Sequence, residues 1–296
     1  MTDGCAFLDG QYVPIGEARI PLLDAGFLRS DVTYDVAGVW KGKWFRLDAH
    51  MERFQRSYTA LRMQLPYTLA EMTAHLTECV RRSGIRDAYA ALIATRGLGR
   101  AGSRDPAHYK NSFIAYVIPY VWILPRDAQA EGMHAIISSV RRIPPESFDP
   151  TVKNFHWGDL VRGAFEAKDR GARTGILVDG DGNLTEGPGY NVFVVSKGKL
   201  FTPVRGVLEG ITRRTVLELA AANGIAAEQT LVTPAMAHDA DEVFACSTAG
   251  GIMPITTLDG APVANGKPGP LTQRIDKLYW DAHDDPRWSS VIDYAS

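Results

Sequence analysis

Cysteine is scarce in this chain. Its 296 residues hold three, Cys5, Cys79 and Cys246, far apart and with no CxxC pair. An odd, scattered set makes no disulfide framework and suits a reducing compartment, so a cytoplasmic location is expected. An excess of one charge is also missing. Lys and Arg number 32 against 34 Asp and Glu, a net charge of −2, which leaves no broad electrostatic case for nucleic acid or an anionic membrane. No apolar run approaches the ~18 residues of a membrane span. Asp3, Asp9 and Glu17 near the start speak against a secretory signal. The P-loop, HExxH and GxSxG motifs are all absent. The seven histidines lack metal-ligand spacing, so no metal is expected and any chemistry must come from other residues.

What is present suffices for a sizeable core. The chain is 45% hydrophobic and 22% charged, ordinary for a globular protein of one large or two ordinary domains. Asp9-Gly10 between short apolar pairs signals a hairpin. Val32 to Trp40 alternates as a strand, with Tyr34, Val36 and Gly38 on one side. Met51, Phe54, Tyr58, Leu61 and Leu65 recur at helical spacing, with Asp48 as the expected cap. Thr68-Leu-Ala-Glu71 reads as the capping box of a second helix that Gly84 ends. Strands are expected at about 88–95 and 113–123. The polar stretch 124–132 reads as an interdomain linker, dividing an N-terminal α/β domain, 1–123, from a C-terminal domain, 133–296. Beyond it come a strand at 135–140, a helix at 157–170, strands at about 175–178, 190–195 and 200–202, and a helix at 210–223. A strand at 242–246, a glycine-rich turn and a last helix near 271–280 follow. Strands and helices mix without a βαβ rhythm, which makes the fold α+β.

Four segments carry chemistry in combination. Phe148-Asp-Pro-Thr-Val-Lys153-Asn-Phe-His-Trp-Gly-Asp159 sets a lysine in a Pro-rich segment beside Val152, Phe155 and Trp157. An apolar setting favours the neutral amine that a Schiff-base lysine requires. A surface lysine in a loop is the bland alternative. Leu184-Thr-Glu186-Gly-Pro-Gly-Tyr-Asn191 puts a carboxylate and two glycines before a strand, either a ligand-approaching backbone or a β-turn. Val207-Leu-Glu-Gly210-Ile-Thr212 enters a helix, whose free amides make an anion site or an ordinary cap. Ser247-Thr248-Ala-Gly-Gly251 follows a strand and offers hydroxyls and glycines to phosphate, or is simply a loop. Arg53 lies beside the apolar stripe of its helix, placed to reach inward to a phosphate or to face solvent.

In this combination and order the chain resembles fold-type-IV enzymes of pyridoxal 5′-phosphate (PLP), the branched-chain and D-amino-acid aminotransferase superfamily. It is most similar to (R)-selective amine transaminases. The resemblance is carried by 18–24, 33–36, 148–154, 157–159, 183–187, 205–208, 210–212 and 247–255. It implies a two-domain, D-amino-acid-aminotransferase-like fold and a homodimer or larger assembly. Lys153 would hold PLP covalently and move the proton, and Glu186 would pair with the pyridine nitrogen. Arg53, the backbone of Ile211 and Thr212, and Thr248 would bind phosphate. Tyr34, Val36, Tyr89, Ala91, Trp157 and Ala249 would line the substrate pocket. Three departures accompany the likeness. Arg29 stands where similar amine transaminases have His. Ala91 stands where related enzymes often have a polar or acidic residue. The loop after Gly97 is one residue shorter than in the fungal enzymes, so Arg100 and Arg104, candidates for a substrate carboxylate, fall in another register. The activity expected is transfer of an amino group from an (R)-primary amine, or a D-amino acid, to a small 2-keto acid such as pyruvate. The alternatives are a D-amino-acid or branched-chain aminotransferase and an aminodeoxychorismate-lyase-like PLP lyase.

Overall fold

The computed structural model describes residues 3–295. In chain order its main elements begin with β1 (Cys5–Leu8), β2 (Gln11–Pro14), α1 (Ala25–Arg29), β3 (Val32–Trp40), β4 (Lys43–Phe45), α2 (Leu47–Ala60), α3 (Leu69–Ser83), β5 (Ala88–Gly99) and β6 (Tyr109–Pro119). Next are β7 (Met133–Arg141), α4 (Gly158–Asp169), β8 (Thr174–Val178), β9 (Glu186–Gly187), β10 (Tyr190–Ser196), β11 (Lys199–Pro203) and α5 (Ile211–Ala222). The chain ends with β12 (Ala227–Thr230), α6 (Pro234–His238), β13 (Glu242–Ser247), β14 (Gly251–Leu258), β15 (Ala261–Pro262), α7 (Pro270–Asp281) and β16 (Ser289–Val291). Helices and two separate sheets make the fold α+β. No described helix is long and apolar enough to cross a membrane.

The chain forms two compact units, and they are discontinuous. The first takes the described residues up to Val121, then Val152–His156, then those from His283 onward. The second takes Trp122–Thr151 and Trp157–Ala282. The expectation of one boundary at 124–132 therefore differs from the units observed. That stretch is built into the second unit: Leu124 and Gln129 are buried, and Ala128–Ala130 forms a 3-10 turn. Its polar composition belongs to the turn's exposed side.

The first unit is a seven-stranded sheet in the order β16-β4-β3-β5-β6-β1-β2. One side of its central strands, including Ala37, Val39, Ala90, Leu92, Ala115 and Val117, packs with Phe54, Met72, Leu76 and Phe113 into the core. Helices α2 and α3 supply the cover. The Thr68–Glu71 capping box starts α3 as expected, and Gly84 at φ 67° stops it. Asp9 and Gly10, both at positive φ, turn the β1–β2 hairpin. Helix α2 departs from expectation: its cap is Arg46 in a left-handed conformation, and Asp48 lies inside the first turn. Strand β6 ends at Pro119, short of the expected residue 123.

The second unit is a nine-stranded mixed sheet with the path β12-β11-β10-β13-β14-β7-β8; β15 joins at β14 and β9 at β10. Strand β14 is hidden in the sequence, which predicts only a turn and a helix there. It lies between β13 and β7 with nearly every residue buried. A strand covered on both faces loses alternation, and Pro254 inside it argues against a central strand.

Candidate active site

In the first unit, Lys153 is placed by a gap in a sheet. Along β3, the three residues of β4 cover only Gly38–Trp40. The other end of β3 therefore offers unpaired backbone, and the segment around Lys153 docks there. Tyr34 N–H and the Thr33 hydroxyl both donate to the Lys153 carbonyl, at 3.2 and 2.5 Å, and Thr33 bridges Asn154. Lys153 N–H donates to Ser57 Oγ at 3.4 Å. The Lys153 amino group lies 4.3 Å from the centre of the Tyr34 ring. The apolar flank is partial: Val152 is buried, and Phe155 is 40% exposed while tilting against Tyr34 at 4.5 Å.

Side chains of β3 alternate, so Asp35 faces the core side, where α2 lies. It is buried together with Arg53 and His50. Arg53 thus reaches inward. Its Nε and Nη2 donate to the two Asp35 oxygens at 2.7 and 2.8 Å, the two-pronged geometry that suits guanidinium to carboxylate. His50 Nδ1 lies 2.8 Å from Asp35 Oδ1. Burial raises the Asp35 pKa, but Arg53 and His50 outweigh it and hold the carboxyl well below its usual range. For His50, burial dominates over the attraction of Asp35 and pushes the imidazole down, toward the neutral form.

The opposite side of the sheet carries the expected substrate residues. Register places Tyr34, Val36 and Gly38 of β3 beside Ile93, Ala91 and Tyr89 of β5. These pair in turn with Ile114, Tyr116 and Ile118 of β6. Tyr89 and Tyr116 stack at 6.4 Å, and burial pushes both phenols up. Four predicted residues, Tyr34, Val36, Tyr89 and Ala91, thus share one face. Tyr116, Ile93 and Ile114 escape sequence reasoning; only strand pairing reveals them. Arg29 is exposed and donates to the Tyr109 hydroxyl at 3.0 Å. Arg100 and Arg104 are exposed and make no salt bridge among the described residues.

In the second unit, Glu186 sits at a hairpin. Strand β9 pairs with β10 across Pro188 and Gly189, and Gly189 has φ 82°. The Trp157 ring lies within 3.6 Å of where a Gly189 Cβ would stand. Glu186 is buried and fully engaged. Oε1 accepts from Arg142 Nη2 at 2.9 Å. Oε2 accepts from Leu208 N–H at 3.0 Å and Asn191 Nδ2 at 3.3 Å. Arg142 Nη1 also donates to Asp159 at 2.6 Å. Burial lowers the Arg142 pKa, but the two carboxylates outweigh it and raise the guanidinium further. Arg142 escapes sequence reasoning because nothing in Arg141-Arg142 tells which one turns inward.

Two anion-compatible features accompany this carboxylate. Gly210 begins α5 without any side-chain cap. The first helical carbonyl bond is made by Arg214 N–H to Gly210, so the amides before it have no acceptor within the helix. Ile211 and Thr212 there are buried. A side chain at Gly210 would strike Asn191 Oδ1, so the approach must stay bare. The turn from Ser247 to Gly251 closes β13 onto β14, with Thr248 and Ala249 half-buried at its tip. Within the second unit, an uncapped helix start, hydroxyls and a held carboxylate make a set of groups whose chemistry fits a phosphorylated pyridine.

The amino-transferase class IV family model matches residues 33–258. The chain belongs to the class IV aminotransferases. A putative branched-chain-amino-acid aminotransferase of Methanocaldococcus jannaschii is 32% identical, over 93% of this chain and 95% of its own. A D-alanine aminotransferase of Bacillus licheniformis is 31% identical, over 90% and 93%. Among solved structures, a branched-chain aminotransferase of Thermoproteus uzoniensis with norvaline superposes at TM-score 0.90 with 30% identity, covering 98% of this chain and 99% of that one. A T.th. branched-chain amino acid aminotransferase with pyridoxamine 5′-phosphate reaches TM-score 0.92 at 26% identity, covering 99% and 100%. The aminotransferase is therefore a fold-type-IV enzyme that uses PLP.

Proposed function

We propose that this aminotransferase takes its amino group from an (R)-configured primary amine with an apolar substituent and passes it to a small 2-keto acid such as pyruvate. One observation carries the reading. The face formed by Tyr34, Val36, Tyr89, Ala91 and Tyr116 is aromatic and aliphatic, and Ala91 brings neither charge nor hydrogen bond to its middle. Such a wall suits an aryl or alkyl group better than a second carboxylate. Arg29 is bonded to the Tyr109 hydroxyl, which removes one argument for carboxylate recognition. Arg100, and after it Arg104, supply a movable cation for the keto acid.

PLP, when bound, supplies the electron sink that lets a proton leave the substrate carbon. Within that chemistry, Lys153 Nζ attaches the cofactor and then carries the proton. Glu186, steadied by Arg142, Asn191 and the Leu208 amide, sets a negative charge against the pyridine nitrogen. Thr212 and Thr248, the Ile211 and Thr212 amides, and Arg53 hold phosphate. For Arg53, the bidentate Asp35 pair fixes the plane of the guanidinium. Trp157 and Ala249 are further substrate residues in this reading. A second copy of the chain completes the assembly, covering Ile20, Leu22, Leu23, Phe27 and Leu28, all exposed on the first unit.

A second reading, an amino-acid donor, draws support from relatives named for branched-chain amino acids and D-alanine. Single-turnover half-reactions separate the two. The purified holoenzyme is mixed with (R)-1-phenylethylamine, its (S)-enantiomer, D-alanine and L-leucine, and cofactor absorbance is followed. Conversion by the (R)-amine ahead of the other three is expected. Conversion by D-alanine or L-leucine but not by the amine would replace the proposal with the amino-acid reading.

A further inference from the structure

We propose that the buried side chain of Gln129 is a positioning residue for the Ser247–Gly251 turn, and through it for cofactor phosphate at Thr248 and substrate at Ala249. The inference rests on the reading of Thr248 and Ala249 given above.

The turn is rich in glycine. Gly250 and Gly251 lie at φ 149° and 67°, conformations that glycine takes and leaves easily. Its tip is fixed instead by the segment that leads into the second unit. Ile123 N–H donates to the Ala249 carbonyl at 2.9 Å. Gln129 Nε2 donates to the next carbonyl, Gly250 O, at 2.8 Å, and to Leu124 O at 3.1 Å. Two successive carbonyls of the turn are therefore tied to two points of one short segment, which sets both position and tilt. From within, Ser247 Oγ accepts Ala249 N–H at 3.1 Å and donates to Gly189 O at 2.7 Å. From below, the Trp280 ring lies 2.9 Å from where a Gly251 side chain would begin, so the turn cannot sink.

Gln129 is itself well aimed. Asp127 accepts Ala128 N–H at 2.9 Å, Gln129 N–H donates to Pro125 O at 3.1 Å, and Glu131 N–H donates to Ala128 O at 3.2 Å, which closes the 3-10 turn that presents it. The two amide hydrogens of one side chain satisfy two carbonyls at once. An apolar side chain of equal length would leave both buried carbonyls without that partner, and the turn would relax to recover water or another donor. Gln129 touches neither cofactor nor substrate in this reading. Its effect is on where Thr248 and Ala249 stand.

The test uses Gln129→Met, with Gln129→Glu as a second variant of native shape whose carboxylate cannot donate. PLP affinity is measured by titrating apoenzyme prepared from the holoenzyme, and steady-state constants are measured for pyruvate. Weakening of PLP binding by roughly tenfold is expected, since a lost buried hydrogen bond is of that order. The KM for pyruvate should rise severalfold while kcat stays within about twofold, the mark of lost positioning in the bound state rather than lost chemistry. Gln129→Glu, which turns acceptors toward both carbonyls, should exceed Gln129→Met in the same direction. If both variants fold with native PLP affinity and native KM, or if kcat falls with KM unmoved, the proposal is overturned. Should Gln129→Met fail to fold, Gln129→Glu alone decides by the same criteria. Thr248→Val tells the two levels apart. If it leaves PLP affinity unchanged, the role given to the turn is at fault. If it weakens PLP while the Gln129 variants do not, the Gln129 assignment falls and the turn's role stands.

Discussion

At the scale of single residues, two side chains carry the proposed chemistry and are held in different ways. Lys153 is fixed by its backbone, through Thr33, Tyr34 and Ser57, which leaves its long side chain free to move. Lys153→Ala should therefore fold normally and lose covalent cofactor attachment and turnover together. Borohydride reduction followed by mass spectrometry checks it: the wild-type peptide containing Lys153 should gain the cofactor mass, and an equal gain elsewhere in the variant would remove Lys153 from its role. Glu186 is fixed by its side chain, with three donors on two oxygens. Glu186→Gln keeps the shape, removes the charge and sets an amide against Arg142. The half-reaction rate should fall on the order of a hundredfold, the scale of losing one pre-aimed electrostatic group, with a smaller change in PLP affinity. Unchanged single-turnover rates would reduce Glu186 to a turn residue. Lys153 and Glu186 stand out in the sequence as candidates because their segments carry distinctive neighbours. Arg142 is not, because its role is defined by two carboxylates 17 and 44 residues away.

At the scale of elements, helix α2 and strand β3 are joined by buried charge. His50 and Asp35 both sit below their ordinary values of 6.5 and 3.8. In each case the unfolded chain binds the proton more readily than the folded one, so acid favours unfolding. The stability they contribute is complete above about pH 6.5. It falls below that as the unfolded chain takes up a proton on His50, and falls again below pH 3.8 as it takes one up on Asp35, which Arg53 keeps ionised in the folded chain. Urea midpoints measured from neutral to acidic pH should trace this descent, and His50→Gln should flatten its upper part. An identical profile in that variant would place the acid sensitivity elsewhere. Helix α3 offers a simpler check. Both halves of its capping box are formed, and Thr68→Ala should cost about 1 kcal/mol by urea denaturation. These elements are readable because capping boxes, 3.6-residue stripes and two-residue turns are local. Strand β14 and the docking of Lys153 against β3 are not, because a fully buried strand has no alternation and a bridge between residues 33 and 154 leaves no trace in either segment.

At the scale of the whole molecule, five large apolar side chains between Ile20 and Leu28 are 49–70% exposed. Exposed apolar clusters of this kind mark association surfaces. In the proposed homodimer, Leu22→Asp with Leu23→Asp should halve the sedimenting mass and leave circular dichroism unchanged. A wild-type protein that sediments as a monomer would end that part of the proposal. The sequence by itself determined the α+β class, most helices and strands and, by resemblance, the PLP-enzyme family. It did so because elements are written in residues close together in the chain, and the family in the order of short segments along it. Only the tertiary structure decided that the unit boundaries interleave, that 124–132 is a built part of the second unit, and which partners hold Asp35, Arg53 and Glu186. It alone put Tyr116 beside Ala91, and Gln129 under the Gly250 carbonyl. Those facts depend on strand register and on burial between distant segments, and both are fixed by packing the whole chain at once.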